Sequence, residues 1–129
     1  MSSHFKIIVP FYNVEEWVKV CIRSVKSQSY KNFQCILVDD ISTDSSAEIV
    51  EQEIANDDRF MLVRNTEKAY ALKNIYDAIA LSEPHEEDVI VTLDGDDWLA
   101  NKDVLNKLNS VYTQSSCWLT YGSYAEYPN

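Results

Sequence analysis

Short, mainly apolar runs alternate along this chain with longer segments in which apolar residues recur every three or four positions. Runs of the first kind are typical of buried β-strands, and segments of the second kind are typical of amphipathic helices. The runs predict strands at residues 5–9, 33–38, 60–63, 89–93 and 117–121. The segments between them predict four helices, so the predicted order of elements is βαβαβαβαβ.

The boundaries of the helices follow from capping residues and from proline. Asn13, with Glu16 three residues later, predicts a capped start for the first helix. The third helix must end before Pro84, because the residue that precedes a proline disfavours helical geometry. Apolar residues mark this third helix at positions 69, 72, 75, 76 and 79.

The predicted strands are apolar on both faces, which is the pattern of a parallel sheet covered by helices on both sides. Right-handed crossovers then fix the handedness of each unit. A chain of 129 residues is long enough for one domain with one core and too short for two. We therefore predict a single α/β domain over residues 1–129, with three layers built around a mostly parallel sheet.

Composition excludes two kinds of partner or site. The chain has 21 acidic and 11 basic residues, a formal net charge of −10, and no basic cluster that could follow a phosphate backbone. Nucleic acid is therefore excluded as a partner. Gly95 and Gly122 are the only glycines, so a glycine-rich phosphate loop is excluded as well.

Cysteine spacing and hydropathy predict the cellular setting. Cys21, Cys35 and Cys117 are odd in number and lie inside apolar runs, which favours buried small side chains over a disulfide or a zinc site. No apolar run approaches the roughly 20 residues of a membrane span, and the N-terminus has no signal-like apolar segment. We expect a reducing, cytoplasmic setting, with peripheral attachment to a membrane left open for a longer protein.

Acidic side chains follow two of the predicted strands, at the edge of the sheet where open parallel sheets bind ligands. They are Asp39, Asp40, Asp94, Asp96 and Asp97. Five carboxylates at one edge repel one another unless a cation is bound, and clustered carboxylate oxygens suit Mg²⁺ or Mn²⁺. Gly95 allows a tight turn or a close approach to a ligand. Tyr12, after the first strand, can stack on a base.

Three classes of function fit these residues. The first is a transferase that binds a diphosphate through a metal ion, the second is a Mg²⁺-dependent phosphoacceptor domain of the receiver type, and the third is an inactive scaffold. A receiver carries its acidic pair after the first strand and a lysine after the fifth. Here the first strand is followed by Pro-Phe-Tyr-Asn, and residues 108–129 contain no lysine, which argues against the second class.

Three segments in a fixed order carry a family resemblance. They read Val-Pro-Phe-Tyr-Asn at 9–13, Val-Asp-Asp-Ile-Ser-Thr-Asp at 38–44 and Leu-Asp-Gly-Asp-Asp at 93–97. Together they resemble the start, the VDDGSTD signature and the DXD segment of family 2 glycosyltransferases, with Ile41 where glycine is usual. The resemblance implies a Rossmann-like GT-A fold and an inverting enzyme. It would move a sugar from a nucleotide-diphospho-sugar, with a UDP-sugar favoured, to a saccharide or other hydroxyl acceptor.

The resemblance also implies how the donor base is bound. Pro10 and Tyr12 would flank the base, and Tyr12 would stack on it. Asp40 would accept a hydrogen bond from the ring nitrogen of uracil, with Asp39 supporting that loop. Lys73 stands where the family often has an arginine and would keep a positive charge on the nucleotide side of the site.

The acidic segment of the resemblance implies the metal site. Asp94, Asp96 and Asp97 would hold Mn²⁺ or Mg²⁺, and Asp96 would also reach the ribose. The general base of inverting members comes from a later segment, and His85 lies in an acidic loop at the wrong end of the fourth strand. We therefore expect the base beyond residue 129 and expect this chain to be the donor-binding half of a longer, truncated enzyme.

Overall fold

The computed structural model describes residues 3–114 and residue 120. Within them, four strands alternate with four helices. The strands are β1 (Phe5–Phe11), β2 (Phe33–Asp39), β3 (Phe60–Arg64) and β4 (Val89–Thr92). The helices are α1 (Val18–Lys26), α2 (Ser46–Ile54), α3 (Tyr70–Leu81) and α4 (Val104–Gln114). The predicted alternation is confirmed for these eight elements. Apart from Thr120, the predicted fifth strand lies outside the described residues.

The four strands form one parallel sheet in the order β3-β2-β1-β4. The chain runs outward from β1 to β3 and then crosses back to place β4 on the other side of β1. The direction of winding therefore reverses between β1 and β4. In open α/β sheets, ligands bind beside such a switch point, at the carboxyl ends of the strands.

Helices cover both faces of this sheet, as the both-sided apolar strands predict. On one face, alternate residues of β1 and β2 pack with α1, with Val50 of α2 and with Leu105 of α4. On the other face, Ile8, Ile36 and Val38 pack against Ala78 of α3. The result is a three-layer arrangement, and the predicted fold class is confirmed.

Pro10 lies within β1, although its lack of an N–H led us to predict that the strand ends at Val9. The strand continues to Phe11 because β4 pairs with β1 only as far as Ile8↔Thr92. Pro10 therefore stands beyond the end of β4, where its missing donor removes no ladder hydrogen bond. Its carbonyl oxygen accepts a hydrogen bond from the Gly95 N–H (3.2 Å).

Asn13 does not cap α1, so the predicted capping box is wrong. The residue that precedes α1 is Trp17, which makes no side-chain cap hydrogen bond. Asn13 instead has a left-handed backbone (φ 50°), which asparagine tolerates better than most residues. Its side-chain oxygen accepts a hydrogen bond from the Thr43 N–H (2.7 Å). Asn13 thus connects the chain after β1 to the chain after β2.

Helix α3 buries an unexpected face. It ends at Leu81, before Pro84, as predicted. Ile75 and Ile79 pack on the sheet, but the fully buried positions are Asn74 and Ala78. Leu72 and Tyr76, which helped to mark this helix in the sequence, are 83% and 73% exposed.

The described residues also bear on the cysteines and on membrane spans. Cys21 and Cys35 are buried free thiols, as predicted, and Cys117 lies outside the described residues. None of the helices in the described part of the chain is long and apolar enough to cross a bilayer.

Candidate functional site

A cleft of about 280 Å³ opens beside the switch point, at the carboxyl ends of the strands. Its lining draws on the segments after β1, β2 and β4 and on the first turns of α3. Prominent lining residues are Pro10, Tyr12, Asp40, Asn74, Asp94 and Asp96. The structure therefore brings together residues from all three segments that stood out in the sequence.

The acidic turn at residues 94–97 forms one side of the cleft. Asp94, Asp96 and Asp97 are exposed, and each offers a carboxylate oxygen within 4.8 Å of the others. Burial, and then the charges of Asp96 and Asp94, raise the pKa of Asp97. A turn that crowds three carboxylates in this way fits a hard divalent cation, which takes oxygen ligands and removes the repulsion.

The negative charge of the acidic turn affects the Cys21 thiol in the neighbouring helix α1. The Cys21 thiol in α1 donates to the Asp94 carbonyl oxygen (3.8 Å between sulfur and oxygen). Burial, followed by the negative charges of Asp97, Asp96 and Asp94, raises the pKa of Cys21 to about 12. Cys21 therefore stays a protonated, unreactive thiol at neutral pH.

Gly95 is required by packing and not by a special backbone angle. A Cβ atom added at this position would lie 2.5 Å from the Phe11 Cβ and 3.2 Å from the Val14 Cγ2. The missing side chain lets the acidic turn rest directly on the end of β1. The close approach predicted for Gly95 is thus made to the protein itself.

Asp40 is buried and holds the loop before α3. Its carboxylate accepts hydrogen bonds from the Ala69 N–H (2.8 Å), the Tyr70 N–H (2.8 Å) and the Asn65 side-chain amide (3.1 Å). Burial would raise the pKa of Asp40, but these hydrogen bonds and the nearby charge of Lys68 outweigh it and lower the pKa to about 2. Asp40 is consequently ionised at neutral pH and has little spare acceptor capacity.

Asp39 is also buried but faces another loop. Its carboxylate accepts a hydrogen bond from the Ser42 N–H (2.8 Å) and lies 3.8 Å from the Arg64 guanidinium. Asp39 is not among the residues that line the cleft. It holds the chain after β2 in place, beside the cleft-lining Asp40.

Tyr12 and Lys73 occupy different surroundings. Tyr12 lines the cleft and is 46% exposed, so its ring is accessible from solvent. Lys73 is exposed on α3, does not line the cleft, and forms an ion pair with Asp77 (2.6 Å). The hydrogen bond and charge of Asp77 raise the pKa of Lys73.

The family model for glycosyl transferase family 2 matches residues 6–120. The chain therefore belongs to this family, and the predicted family is confirmed. An uncharacterized glycosyltransferase of Haemophilus influenzae is 38% identical over 121 residues, which cover 92% of this chain and 46% of that protein. Glycosyltransferase GlyG of Streptococcus pneumoniae is 29% identical over 98% of this chain and 41% of its own length. The chain thus spans less than half the length of these relatives.

Solved structures of glycosyltransferases share the architecture of this family 2 domain. Staphylococcus aureus TarS 1-349 in complex with UDP-GlcNAc matches with a TM-score of 0.66 and 25% identity, covering 81% of this chain and 30% of the TarS 1-349 chain. A mannosyltransferase from Pyrobaculum calidifontis, in complex with GDP-Man and Mn²⁺, matches with a TM-score of 0.72 and 21% identity. That match covers 84% of this chain and 32% of the mannosyltransferase. The GT-A fold is confirmed, and the family assignment disfavours the receiver alternative.

Three polar residues in or beside this cleft were not singled out from the sequence. Asn74 is buried in the cleft lining, and its side-chain oxygen accepts a hydrogen bond from the Asn65 amide (2.7 Å), which also reaches Asp40. Lys68 lies beside Asp40 and over the Tyr12 ring. A usable signal existed for Asn74 alone, because it shares helical spacing with Ala71 and Ala78, and a polar side chain on a buried face is hydrogen-bonded.

Proposed function

We propose that this domain binds the donor of an inverting sugar transfer, a nucleotide-diphospho-sugar with a UDP-sugar favoured, together with a divalent metal ion. The observation that carries the proposal is the acidic turn, where three carboxylate oxygens lie within 4.8 Å of one another beside the cleft at the switch point. Membership of glycosyl transferase family 2 supports the reaction class. The neighbours with UDP-GlcNAc and with GDP-Man and Mn²⁺ support the class of ligand.

The acidic turn is proposed as the metal site, with Asp94, Asp96 and Asp97 as the residues that hold Mn²⁺ or Mg²⁺. When bound, such an ion neutralises the charge that grows on the leaving diphosphate. Asp96, which also lines the cleft, is proposed to reach the ribose. The close packing of Gly95 on Phe11 supports a defined position for the turn that carries these carboxylates.

The rim formed by the end of β1 is proposed as the base site. Pro10 and Tyr12 line the cleft there, and the exposed ring of Tyr12 offers a stacking surface. Asp40 lines the same cleft and is proposed to accept from the uracil ring nitrogen, sharing an oxygen that already accepts from the loop before α3. Asp39 is proposed to support Asp40 indirectly, by holding the chain after β2 through its hydrogen bond from the Ser42 N–H. Lys73 would have to leave Asp77 to reach a diphosphate.

The acceptor half of the reaction is proposed to involve residues beyond this chain. A hydroxyl acceptor must lose its proton as it attacks the anomeric carbon, and this requires a general base within hydrogen-bond reach. Among the described residues, the groups that line the cleft are proposed for donor binding, and none is assigned as the base. We therefore expect the isolated chain to bind donor nucleotide without efficient transfer.

Calorimetric titration with UDP, with and without Mn²⁺, tests the donor site. We expect binding that depends on Mn²⁺ and falls about tenfold or more in the Asp96→Asn, Asp97→Asn double variant, since a charge-assisted contact contributes at least about 1.5 kcal/mol. The matched control is Glu86→Gln, Glu87→Gln, which removes the same charge from an exposed loop at the amino end of β4. Absence of UDP binding under both conditions would favour an inactive scaffold.

A further inference from the structure

The side chain of Lys68 lies over one face of the Tyr12 ring, and this ring is the surface on which a donor base is proposed to stack. The Lys68 ammonium nitrogen lies 3.2 Å from the centroid of the Tyr12 ring and 5.4 Å from that of Tyr70. It also lies 3.5 Å from the Asp40 Oδ2 and 3.4 Å from the Asp40 carbonyl oxygen. Lys68 therefore lies between the aromatic face of Tyr12 and the buried carboxylate of Asp40, two residues that line the cleft.

The backbone around Lys68 is fixed by the same carboxylate. Asp40 accepts hydrogen bonds from the N–H groups of Ala69 and Tyr70, which follow Lys68 directly, and from the side chain of Asn65, which precedes it. The loop is thus anchored on both sides of Lys68. The side chain itself remains one-third exposed, so its ammonium group is able to move while its backbone stays in place.

The seated ammonium and a stacked base exclude each other on this face. A base that stacks on Tyr12 needs the layer directly above the ring, and the ammonium nitrogen lies in that layer. A cation on a tyrosine face is stabilised by the ring quadrupole, so it leaves only at a cost in free energy. A ligand that brings an anionic group close to Lys68 offers the ammonium a replacement partner.

We propose that Lys68 is a displaceable occupant of the base site that makes the cleft select nucleoside diphosphates over nucleosides. Binding moves the ammonium from the Tyr12 ring to the donor's diphosphate, while the base takes its place on the ring. A nucleoside without phosphate displaces the Lys68 ammonium from the Tyr12 ring but offers it no anionic partner, so it binds more weakly. This inference rests on the proposed function, because it assigns the base to Tyr12.

The Lys68→Met variant separates the two parts of the exchange. Methionine keeps an unbranched apolar stem but carries no charge. We expect uridine to bind about fivefold more tightly to the variant, because the cation–π contact no longer competes. We expect UDP to bind at least about twofold more weakly, because the lost charge-assisted contact to phosphate is worth about tenfold or more and outweighs the same fivefold gain. The measured quantity is the ratio of the two dissociation constants, in one Mn²⁺ buffer.

Two single variants and a Tyr12→Leu background control this measurement. Lys107→Met removes the same charge from an exposed position on α4 and should leave the ratio unchanged. Lys68→Arg should keep the preference for UDP, because arginine both covers an aromatic face and binds phosphate. In a Tyr12→Leu background, Lys68→Met should no longer tighten the binding of uridine. Persistence of that gain without the ring would show that Lys68 acts elsewhere and would overturn the proposal.

The outcomes distinguish this inference from the proposed function. If UDP binds the unaltered chain and Lys68→Met with the same ratio of UDP to uridine dissociation constants, the proposed role of Lys68 is overturned and the donor site is not. UDP that binds neither protein, with or without Mn²⁺, overturns the donor site and this role with it. NMR gives a direct readout, since the Lys68 methylene protons next to the ammonium should be shifted by the Tyr12 ring current. Their return toward ordinary shifts when UDP is added supports the exchange, and an unaltered shift at saturation overturns it.

Discussion

Ile41 occupies a backbone conformation that its side chain disfavours. Its φ is 65°, in the left-handed region, where a β-branched residue meets the strongest steric conflict. The neighbours impose this angle. The Asp40 N–H donates to the Phe11 carbonyl oxygen (3.0 Å), and the Ser42 N–H donates to Asp39 (2.8 Å). The turn after β2 is therefore fixed on both sides of Ile41, and the residue between them accepts the strain.

The strain at Ile41 predicts an inverted order of stability for two small substitutions. Ile41→Gly and Ile41→Ala lose nearly the same side-chain contacts, but only glycine adopts a positive φ without conflict. We expect Ile41→Gly to be more stable than Ile41→Ala by about 1 kcal/mol, whereas glycine is the less stable of the two in ordinary conformations. Denaturant unfolding of the two variants measures the difference. An alanine variant as stable as the glycine variant would show that the turn relaxes.

At the scale of an element, α3 packs on the sheet through small and polar residues and keeps large apolar ones outside. Asn74 and Ala78 are buried, whereas Leu72 and Tyr76 are exposed. The buried Asn74 is fixed by Asn65, so the helix is positioned by a polar contact as well as by Ile75 and Ile79. Helical periodicity alone does not distinguish these faces, because apolar residues lie on both of them.

Two leucines in different helices test this description of α3. Leu72 in α3 is 83% exposed, and Leu105 in α4 is fully buried among β1 and α1 residues. We expect Leu105→Ala to lower the free energy of unfolding by about 2–5 kcal/mol, through lost burial and a residual cavity. Leu72→Ala should change it by less than about 0.5 kcal/mol. The two unfolding curves, recorded side by side, decide the matter. A large loss at Leu72 would mean that this face is covered.

The strands could be predicted because all four are mainly apolar; β1 and β2 are buried on both faces, and the edge strands β3 and β4 are buried in part. Such burial leaves a continuous apolar run, and the runs located β1 to β4 with errors of one or two residues at the ends. The errors came from tertiary context. Pro10 continues β1 because β4 has already ended, and Asn13 bonds to the loop after β2 instead of capping α1. Neither relation is visible in the local sequence.

At the scale of the whole molecule, the cleft is made by strand order and by one buried carboxylate. The sequence predicted that Asp40 and the acidic turn share an edge, and the structure places both in the lining of one cleft. Nothing in the sequence indicated that Asp40 would hold the loop that carries Lys68, because the two segments are brought together only by the fold. The proposed donor-binding roles of Tyr12, Lys73 and the acidic residues stay predictions until a ligand is bound.

Part of the net charge of −10 is concentrated in the acidic turn, where Asp94, Asp96 and Asp97 fall within four residues. The backbone of the acidic turn is held against β1, because Gly95 packs on Phe11 and the Leu93 N–H donates to the Ile8 carbonyl oxygen (3.0 Å). Repulsion among its carboxylates therefore acts against the folded state as a whole. In the proposed metal site, this repulsion would lower the stability of the free protein and favour binding of a cation.

We therefore predict that adding metal reverses the order of stability of the unaltered chain and the Asp96→Asn, Asp97→Asn double variant. Without divalent ions, Asp96→Asn, Asp97→Asn should be more stable than the unaltered chain by up to about 1 kcal/mol, because repulsion at the exposed turn is relieved. With Mn²⁺ at roughly 100 times its Kd, the unaltered chain should gain about 2.7 kcal/mol, and the variant should gain little. Thermal unfolding with EDTA and with Mn²⁺ measures both differences, and Glu86→Gln, Glu87→Gln should follow the unaltered chain in each buffer. If the Asp96, Asp97 variant is less stable without metal, these carboxylates support the fold directly and the turn is not held in a repulsive state.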